Sequence, residues 1–293
     1  MLNKNTKILI IGLGLIGGSY ADALSDKGYT VGAIDTDQSA IEYAKRRGII
    51  ADGRTFADGE FIRSFSLIVF CLYPSAMKEW IKTNQRYFAP DALLTDVCGV
   101  KRATVYSVQD ILRPDLEFIG AHPMGGREVS GVRHADKNIF KGANYIVVPT
   151  RKNAQHAVDT CRALAETIGF RHIATLSPET HDEMIGFLSQ LTHCIAVALM
   201  ACKDSAKLVD YTGDSFRDLT RIAMINENLW CELFYENKDE LIAQMNLFSA
   251  EFEEIKRCIE TDDFQTMKQI MRVAADRRRL FDKTEEEERS EKR

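Results

Sequence analysis

Short, almost continuously apolar runs alternate with amphipathic stretches through the first half of the chain. Strand candidates are Lys7–Ile11, Tyr29–Asp35, Leu67–Leu72, Leu93–Val97, Phe118–Ala121, Tyr145–Pro149 and Arg171–Leu176. The early ones are separated by helical patterns such as Gly17–Lys27 and Ser39–Arg47. Strands that are apolar on both sides belong to a parallel sheet covered on both faces by crossover helices. The pattern changes at Ser177-Pro178-Glu179, where serine supplies an N-cap, proline suits the first helical position and the acid favours the first turn. From there to about residue 282 no run reads as a strand, and apolar residues recur at helical spacing, as in Met184, Phe187, Leu188, Leu191, Ile195 and Leu199. The expected fold class is α/β, with a parallel-sheet domain over residues 1–176 followed by an all-helical domain over 177–293. The helix from Pro178 is apolar around more of its circumference than one layer can cover, which predicts burial against a second subunit in a homodimer. The charged end, 283–293, should fray.

A length of 293 residues suits two domains of this kind. The net charge of −5 argues against a nucleic-acid partner, because neutralising phosphates takes a concentrated basic surface. No apolar run approaches the roughly 18 residues needed to cross a membrane. The first residues lead straight into a strand-like segment, so no signal peptide is expected and the reading is cytoplasmic. Seven cysteines are scattered singly with no C-x-x-C pair, which predicts reduced thiols and no metal site.

Gly12-Leu13-Gly14-Leu15-Ile16-Gly17 follows the first strand and opens a helix, the context in which G-x-G-x-x-G binds a dinucleotide. Gly12 permits the turn, Gly14 lets the pyrophosphate approach, and Gly17 lets helix and strand pack closely. The free N–H groups of Leu15 and Ile16 fall at the positive end of the helix dipole, where phosphates bind. Asp35 ends the next strand, 18 residues after Gly17. A carboxylate there accepts from the ribose hydroxyls and repels a 2′-phosphate, so the cofactor should be NAD rather than NADP, on a Rossmann-type sheet.

Three further segments carry candidate chemistry. Thr95-Asp96-Val97-Cys98-Gly99-Val100-Lys101 and Gly120-Ala121-His122-Pro123-Met124-Gly125-Gly126-Arg127-Glu128 both lie at the carboxyl ends of strands, the edge where ligands of open parallel sheets bind. The third is the helix from Pro178, on which Asp182, Gly186, Ser189 and His193 fall at i, i+4, i+7 and i+11, a small or polar stripe on an apolar helix. A polar stripe in apolar surroundings needs partners, and a substrate is one.

These motifs, with Leu191-Thr192-His193, Phe216–Arg221 and Asn228–Phe234, resemble the prephenate/arogenate dehydrogenase family over nearly the whole chain, up to about residue 282. The resemblance implies a Rossmann domain, a helical dimerisation domain and an active site between them. It also implies oxidative decarboxylation of prephenate, or of arogenate, with hydride transfer to NAD in tyrosine biosynthesis. Prephenate carries a ring carboxylate, a C4 hydroxyl and a pyruvyl side chain. A neutral histidine can accept the hydroxyl hydrogen bond and polarise it as hydride departs. By resemblance that residue is His122. Arg221 matches the arginine that grips a substrate carboxylate, for which a guanidinium is better shaped than an ammonium. His193 matches a histidine near the substrate side chain, and Asp182, Ser189 and Glu128 are further substrate-site candidates. By themselves the residues leave open an ion pair of Arg221 with Asp218 and a core role for His193.

The chain departs from the family at Gly99, where many members have serine. That hydroxyl supports the histidine and the substrate hydroxyl, and at Gly99 a water or the backbone would have to replace it. Two other classes fit the fold: a different two-domain NAD(P) oxidoreductase, or a non-catalytic NAD sensor. The former normally places a lysine on the interdomain helix, and Pro178–Ala201 contains none.

Overall fold

A computed structural model describes residues 2–127, 129–204 and 206–281. Eight strands among them form one sheet: β1 Lys7–Ile11, β2 Thr30–Ile34, β3 Asp52–Arg54, β4 Leu67–Phe70, β5 Leu93–Asp96, β6 Glu117–Met124, β7 Asn144–Val148 and β8 His172–Thr175. Their order is β3-β2-β1-β4-β5-β6-β7-β8. The strand order reverses at β1, so the switch point lies between β1 and β4 at their carboxyl ends, where a ligand of such a sheet binds.

Successive residues of each central strand feed opposite cores, as a period of two requires. Ile8 and Ile10 pack in one cluster, with Val69 of β4 and Leu164 of α6 (Gln155–Ile168). Leu9 and Ile11 pack in the other, with Phe70, Met77, Ile81 and Phe118. Each such side chain stabilises the fold by roughly 1.5–3 kcal/mol, which makes the sheet a stiff platform for whatever its edge carries. With α6, helices α1 Leu15–Asp26 and α2 Gln38–Arg46 feed the first of these cores, and α3 Gly59–Arg63, α4 Pro74–Asn84 and α5 Arg102–Ile111 feed the second.

Two features of the sheet differ from the sequence reading. β3 was not expected, because Asp-Gly-Arg at the sheet edge carries no apolar run. The sheet is also not wholly parallel: β7 runs antiparallel to β6, with Met124 opposite Asn144. Residues 125–143 therefore stay at the carboxyl edge instead of crossing a face. They are tied to α1 by the Asp136 amide, 3.0 Å from Ser19 Oγ, and the Lys137 amide, 3.2 Å from Asp22 Oδ2. β6 runs on through Met124, so His122 lies in a strand rather than in the loop after one.

Beyond β8 the described residues are helical: α7 Pro178–Ile185, a π-helical segment Gly186–Leu191, α8 Thr192–Ala201, α9 Asp214–Thr220, α10 Glu227–Glu236, α11 Lys238–Glu260 and α12 Phe264–Arg279. The Ser177 hydroxyl accepts from the Thr180 amide, the N-cap its position implied. Residues 184–201 contain no Asp, Glu, Lys or Arg, and the helix Pro178–Ala201 reaches a mean hydropathy of 1.7 over an 18-residue window. This corrects the expectation that no segment is long and apolar enough to cross a membrane. Counting only strictly apolar residues had passed over a run in which Gly, Ser, Thr, Gln and His carry no charge. Only 28% of that window is buried in a single chain.

By its contacts the chain divides into two compact units, Met1–Asn237 and Lys238–Arg293. The switch from sheet to helix at residue 176 is thus not where the packing divides. Helices α7 to α10 belong to the first unit, joined to its sheet part by Lys78 Nζ to Glu236 Oε1 at 2.5 Å, Tyr106 OH to Glu179 Oε1 at 2.6 Å and Asn226 Nδ2 to Tyr73 OH at 3.1 Å. In the second unit α11 and α12 pack on each other. Ile242, Met245, Leu247, Phe248 and Phe252 on α11 all stand exposed in the single chain. Glu128 and the expected frayed end, 283–293, lie outside the described residues.

Candidate active site

The glycine turn has the geometry its sequence demands. Gly12 has φ +98°, and a Cβ there would come within 2.5 Å of the Cys71 carbonyl oxygen. A Cβ on Gly17 would meet the Gly12 carbonyl oxygen at 1.9 Å, so no larger residue fits either place. Nothing lies within 4 Å of a Cβ built on Gly14, which is the N-cap of α1 and has no side chain capping the helix. The amide groups of Leu15 and Ile16 lie at this uncapped, positive end of the helix. Asp35 follows β2, and its carboxylate accepts from the Leu13 amide at 2.6 Å and the Asp37 amide at 2.8 Å. One bond to each oxygen leaves lone pairs for ribose hydroxyls. The turn, the open helix end and the carboxylate thus fit a dinucleotide with an unmodified ribose. Gly126 brings the His122 segment to the same place: a Cβ on it would stand 4.0 Å from Ile16 Cδ1.

A buried polar core organises the neighbouring strand ends. Asp96, at the end of β5, accepts from Lys101 Nζ at 2.6 Å and the Cys98 amide at 3.0 Å through Oδ2, and from the Ala121 amide at 3.0 Å through Oδ1. Both side chains of the Asp96–Lys101 pair are 0% exposed. The Ala121 bond fixes the backbone immediately before His122. Cys98 is buried beside this pair, and its thiol is pushed well above the ordinary range by burial and then by the Asp96 charge. It stays protonated and is no nucleophile.

His122 is half-buried. Its Nδ1 lies 2.9 Å from His181 Nε2, and its Nε2 would be 3.9 Å from a Cβ on Gly99. Burial, then His181 and the Lys101 charge, push the imidazole well below its ordinary value, so it is neutral at neutral pH. Leu233 also borders Gly99, 3.4 Å from that same Cβ position.

The expected stripe on the long helix is only partly realised. A π-helical turn advances about 4.4 residues rather than 3.6, so Gly186–Leu191 rephases the face. Ser189 and His193 come out half-buried, with His193 Nδ1 2.8 Å from the Ser189 carbonyl oxygen. The His193 ring lies over Trp230, centroids 3.7 Å apart and planes at 30°. Asp182 is not open to a ligand. It is fully buried, and its two oxygens accept from the amides of Lys101 and Arg102, each at 2.8 Å. As a direct substrate contact Asp182 is therefore corrected: its carboxylate caps α5 and reaches His181. Arg221 is exposed on a single 3-10 turn, Arg221–Ala223, which packs against α8.

The structure thus brings together Gly99, His122 and Asp182, and separately Ser189 and His193. The sequence reading missed His181, Asp96 and Lys101 as members of the site. His181 lies about 100° round the helix from the stripe that holds Asp182, so the stripe passed over it, although both are fully buried.

A glycine turn at a helix N-terminus, a carboxylate at the end of β2 and a neutral histidine share one sheet edge, an arrangement that suits an NAD-dependent dehydrogenase. Its family follows from comparison. The chain matches the nucleotide-binding domain model of prephenate dehydrogenase over residues 20–174 and the dimerisation domain model over residues 177–273. It belongs to the prephenate dehydrogenase family. It is 27% identical to the prephenate dehydrogenase of Bacillus subtilis over 92% of this chain and 75% of that protein. It is 28% identical to the cyclohexadienyl dehydrogenase of Zymomonas mobilis over 87% and 89% respectively. The crystal structure of prephenate dehydrogenase from A. aeolicus in complex with hydroxyphenyl propionate and NAD+ superposes with a TM-score of 0.87 at 27% identity, over 96% of this chain and 100% of that one.

Proposed function

We propose that this chain is a prephenate dehydrogenase, converting prephenate and NAD to 4-hydroxyphenylpyruvate, CO2 and NADH. Within the family, the observation that carries this reading is His122, a neutral imidazole whose Nε2 stands 3.9 Å from the Cβ position of Gly99, on the edge that also bears the cofactor turn. When bound, NAD accepts the hydride that leaves C4. His122 accepts the C4 hydroxyl hydrogen bond at Nε2 and takes the proton as hydride departs. Loss of CO2 then leaves a phenolate, to which His122 returns the proton, so no net proton is released. Arg221 grips a substrate carboxylate, while His193, braced against Trp230, and Ser189 lie along the side chain of the substrate. Glu128 belongs to the same substrate group, and Gly99 leaves room for the hydroxyl. Residues 1–176 bind the cofactor and 177–293 cover the substrate and pair the subunits, in a cytoplasmic enzyme whose thiols are unpaired.

Arogenate differs from prephenate only in carrying an amino group in place of the keto oxygen, and one relative is named a cyclohexadienyl dehydrogenase. Steady-state rates with each substrate decide between them: turnover of prephenate is expected, and activity confined to arogenate would replace this reading. Because Asp35 reads the ribose, NAD should be preferred over NADP by at least about tenfold in kcat/KM, or about 1.4 kcal/mol. Equal use of both would contradict it. Asp35→Ser should narrow the gap and also raise KM for NAD, since the carboxylate holds the amides of Leu13 and Asp37.

Homodimerisation is supported by the dimerisation domain model and by apolar side chains left uncovered in the single chain. Met184, Phe187, Leu188, Val197 and Met200 on α7 to α8 are each 36–54% exposed. Light scattering at micromolar concentration should give twice the chain mass, and a monomer would contradict the proposal.

A further inference from the structure

Behind the nitrogen assigned to the substrate, two imidazoles and a carboxylate stand in series. His122 Nδ1 lies 2.9 Å from His181 Nε2, and His181 Nδ1 lies 2.7 Å from Asp182 Oδ1. The rings are tilted by 55° with centroids 5.1 Å apart, so they meet nitrogen to nitrogen rather than face to face. The side chains of His181 and Asp182 are 0% and 1% exposed. Asp182 takes one backbone N–H on each oxygen at the amino end of α5, surroundings that suit a carboxylate.

With both imidazoles neutral, hydrogen-bond accounting along this row leaves one arrangement. A carboxylate only accepts, so the bond to Asp182 uses a proton on His181 Nδ1. A neutral His181 then has a bare Nε2, and the contact with His122 needs its proton from His122 Nδ1. The remaining nitrogen of His122, Nε2, is left with its lone pair toward Gly99. We infer that His181 and Asp182 act together as positioning residues that hold His122 in the Nδ1–H tautomer and so present an acceptor to the substrate hydroxyl. The alternative, a doubly protonated His181 donating to His122, would place a second buried cation where burial and Lys101 already oppose one. It would also leave His122 with a proton on Nε2, facing the hydroxyl as a donor. Which ring nitrogen is protonated is set by the bond the other makes, and here that bond is the one to His181.

The inference rests on His122 as the proton acceptor, and the test separates the two. Nitrogen-15 spectra of histidine-labelled protein give the tautomer directly, with His122 identified by the signals lost in His122→Asn. A protonated Nδ1 and bare Nε2 on His122 are expected in the wild type. The opposite tautomer would overturn the inference whether or not His181→Leu folds. In kinetics, His181→Leu should lower kcat by roughly 10²-fold while KM and NAD affinity change less than about threefold. His181→Gln offers an amide oxygen to His122 Nδ1–H and should recover at least about tenfold of that loss. A His181→Leu enzyme with near-normal kcat, beside an inactive His122→Asn, would refute the positioning role alone. Near-normal rates in both would refute the acceptor role of His122 as well.

Discussion

His122→Asn is expected to lower kcat by roughly 10²–10⁴-fold while KM for prephenate and affinity for NAD stay near their starting values. The split follows from when the imidazole works. Its hydrogen bond to the hydroxyl strengthens only as hydride leaves and the oxygen sheds its proton, so removing it costs the transition state and not the ground state. Asparagine fills similar space and still offers a dipole, but it cannot take a proton. The pH dependence carries a sign as well. Burial, His181 and Lys101 hold the imidazole well below its ordinary value. Activity should therefore stay level as pH falls through the ordinary histidine range and decline only below it, when Nε2 is protonated and can no longer accept. A variant with near-normal kcat would mean that another base acts.

The second large effect is on stability. Lys101→Met should cost about 3–5 kcal/mol of unfolding free energy, because it leaves Asp96 as an uncompensated buried charge. The pair is 2.6 Å apart with neither side chain exposed, so water cannot take the place of the lost ammonium. Asp96 would keep the amides of Cys98 and Ala121, which are too few partners for a full charge at that depth. Urea titration of the two proteins measures the difference. Adding Asp96→Asn to Lys101→Met should recover part of it, since the double variant buries no charge. A loss under about 1 kcal/mol in the single variant would show that the pair is hydrated. Because Asp96 also fixes the backbone at Ala121, kcat should fall in the single variant more than mild destabilisation explains.

What could be read from the sequence was what is local. The turn from Gly12 to Gly17 and the carboxylate of Asp35 are set by residues that are neighbours in the chain, and the strand and helix periods are likewise short-range signals. The direction of β7 was not legible, because a two-residue period is the same whichever way a strand runs. β3 escaped notice because Asp52-Gly53-Arg54 is polar and lies at the sheet edge. Asp182 shows a different limit. A buried polar residue needs a partner, but its sequence neighbours do not say whether that partner is a substrate or the backbone of α5, 81 residues away. The link from His122 to His181 spans 59 residues and depends on α7 docking against the sheet edge. The π-helical segment then shifted Ser189 and His193 off the α-helical stripe on which they had been placed.

The central claim is that this site couples hydride loss at C4 to loss of the ring carboxylate. It is tested most directly by incubating the protein with prephenate and NAD, stopping the reaction at several times and quantifying the products. The account predicts NADH, CO2 and 4-hydroxyphenylpyruvate in a ratio of one to one to one, with His122→Asn forming all three more slowly by the same factor. Binding of NAD with no NADH formed, or NADH formed without matching CO2, would contradict it.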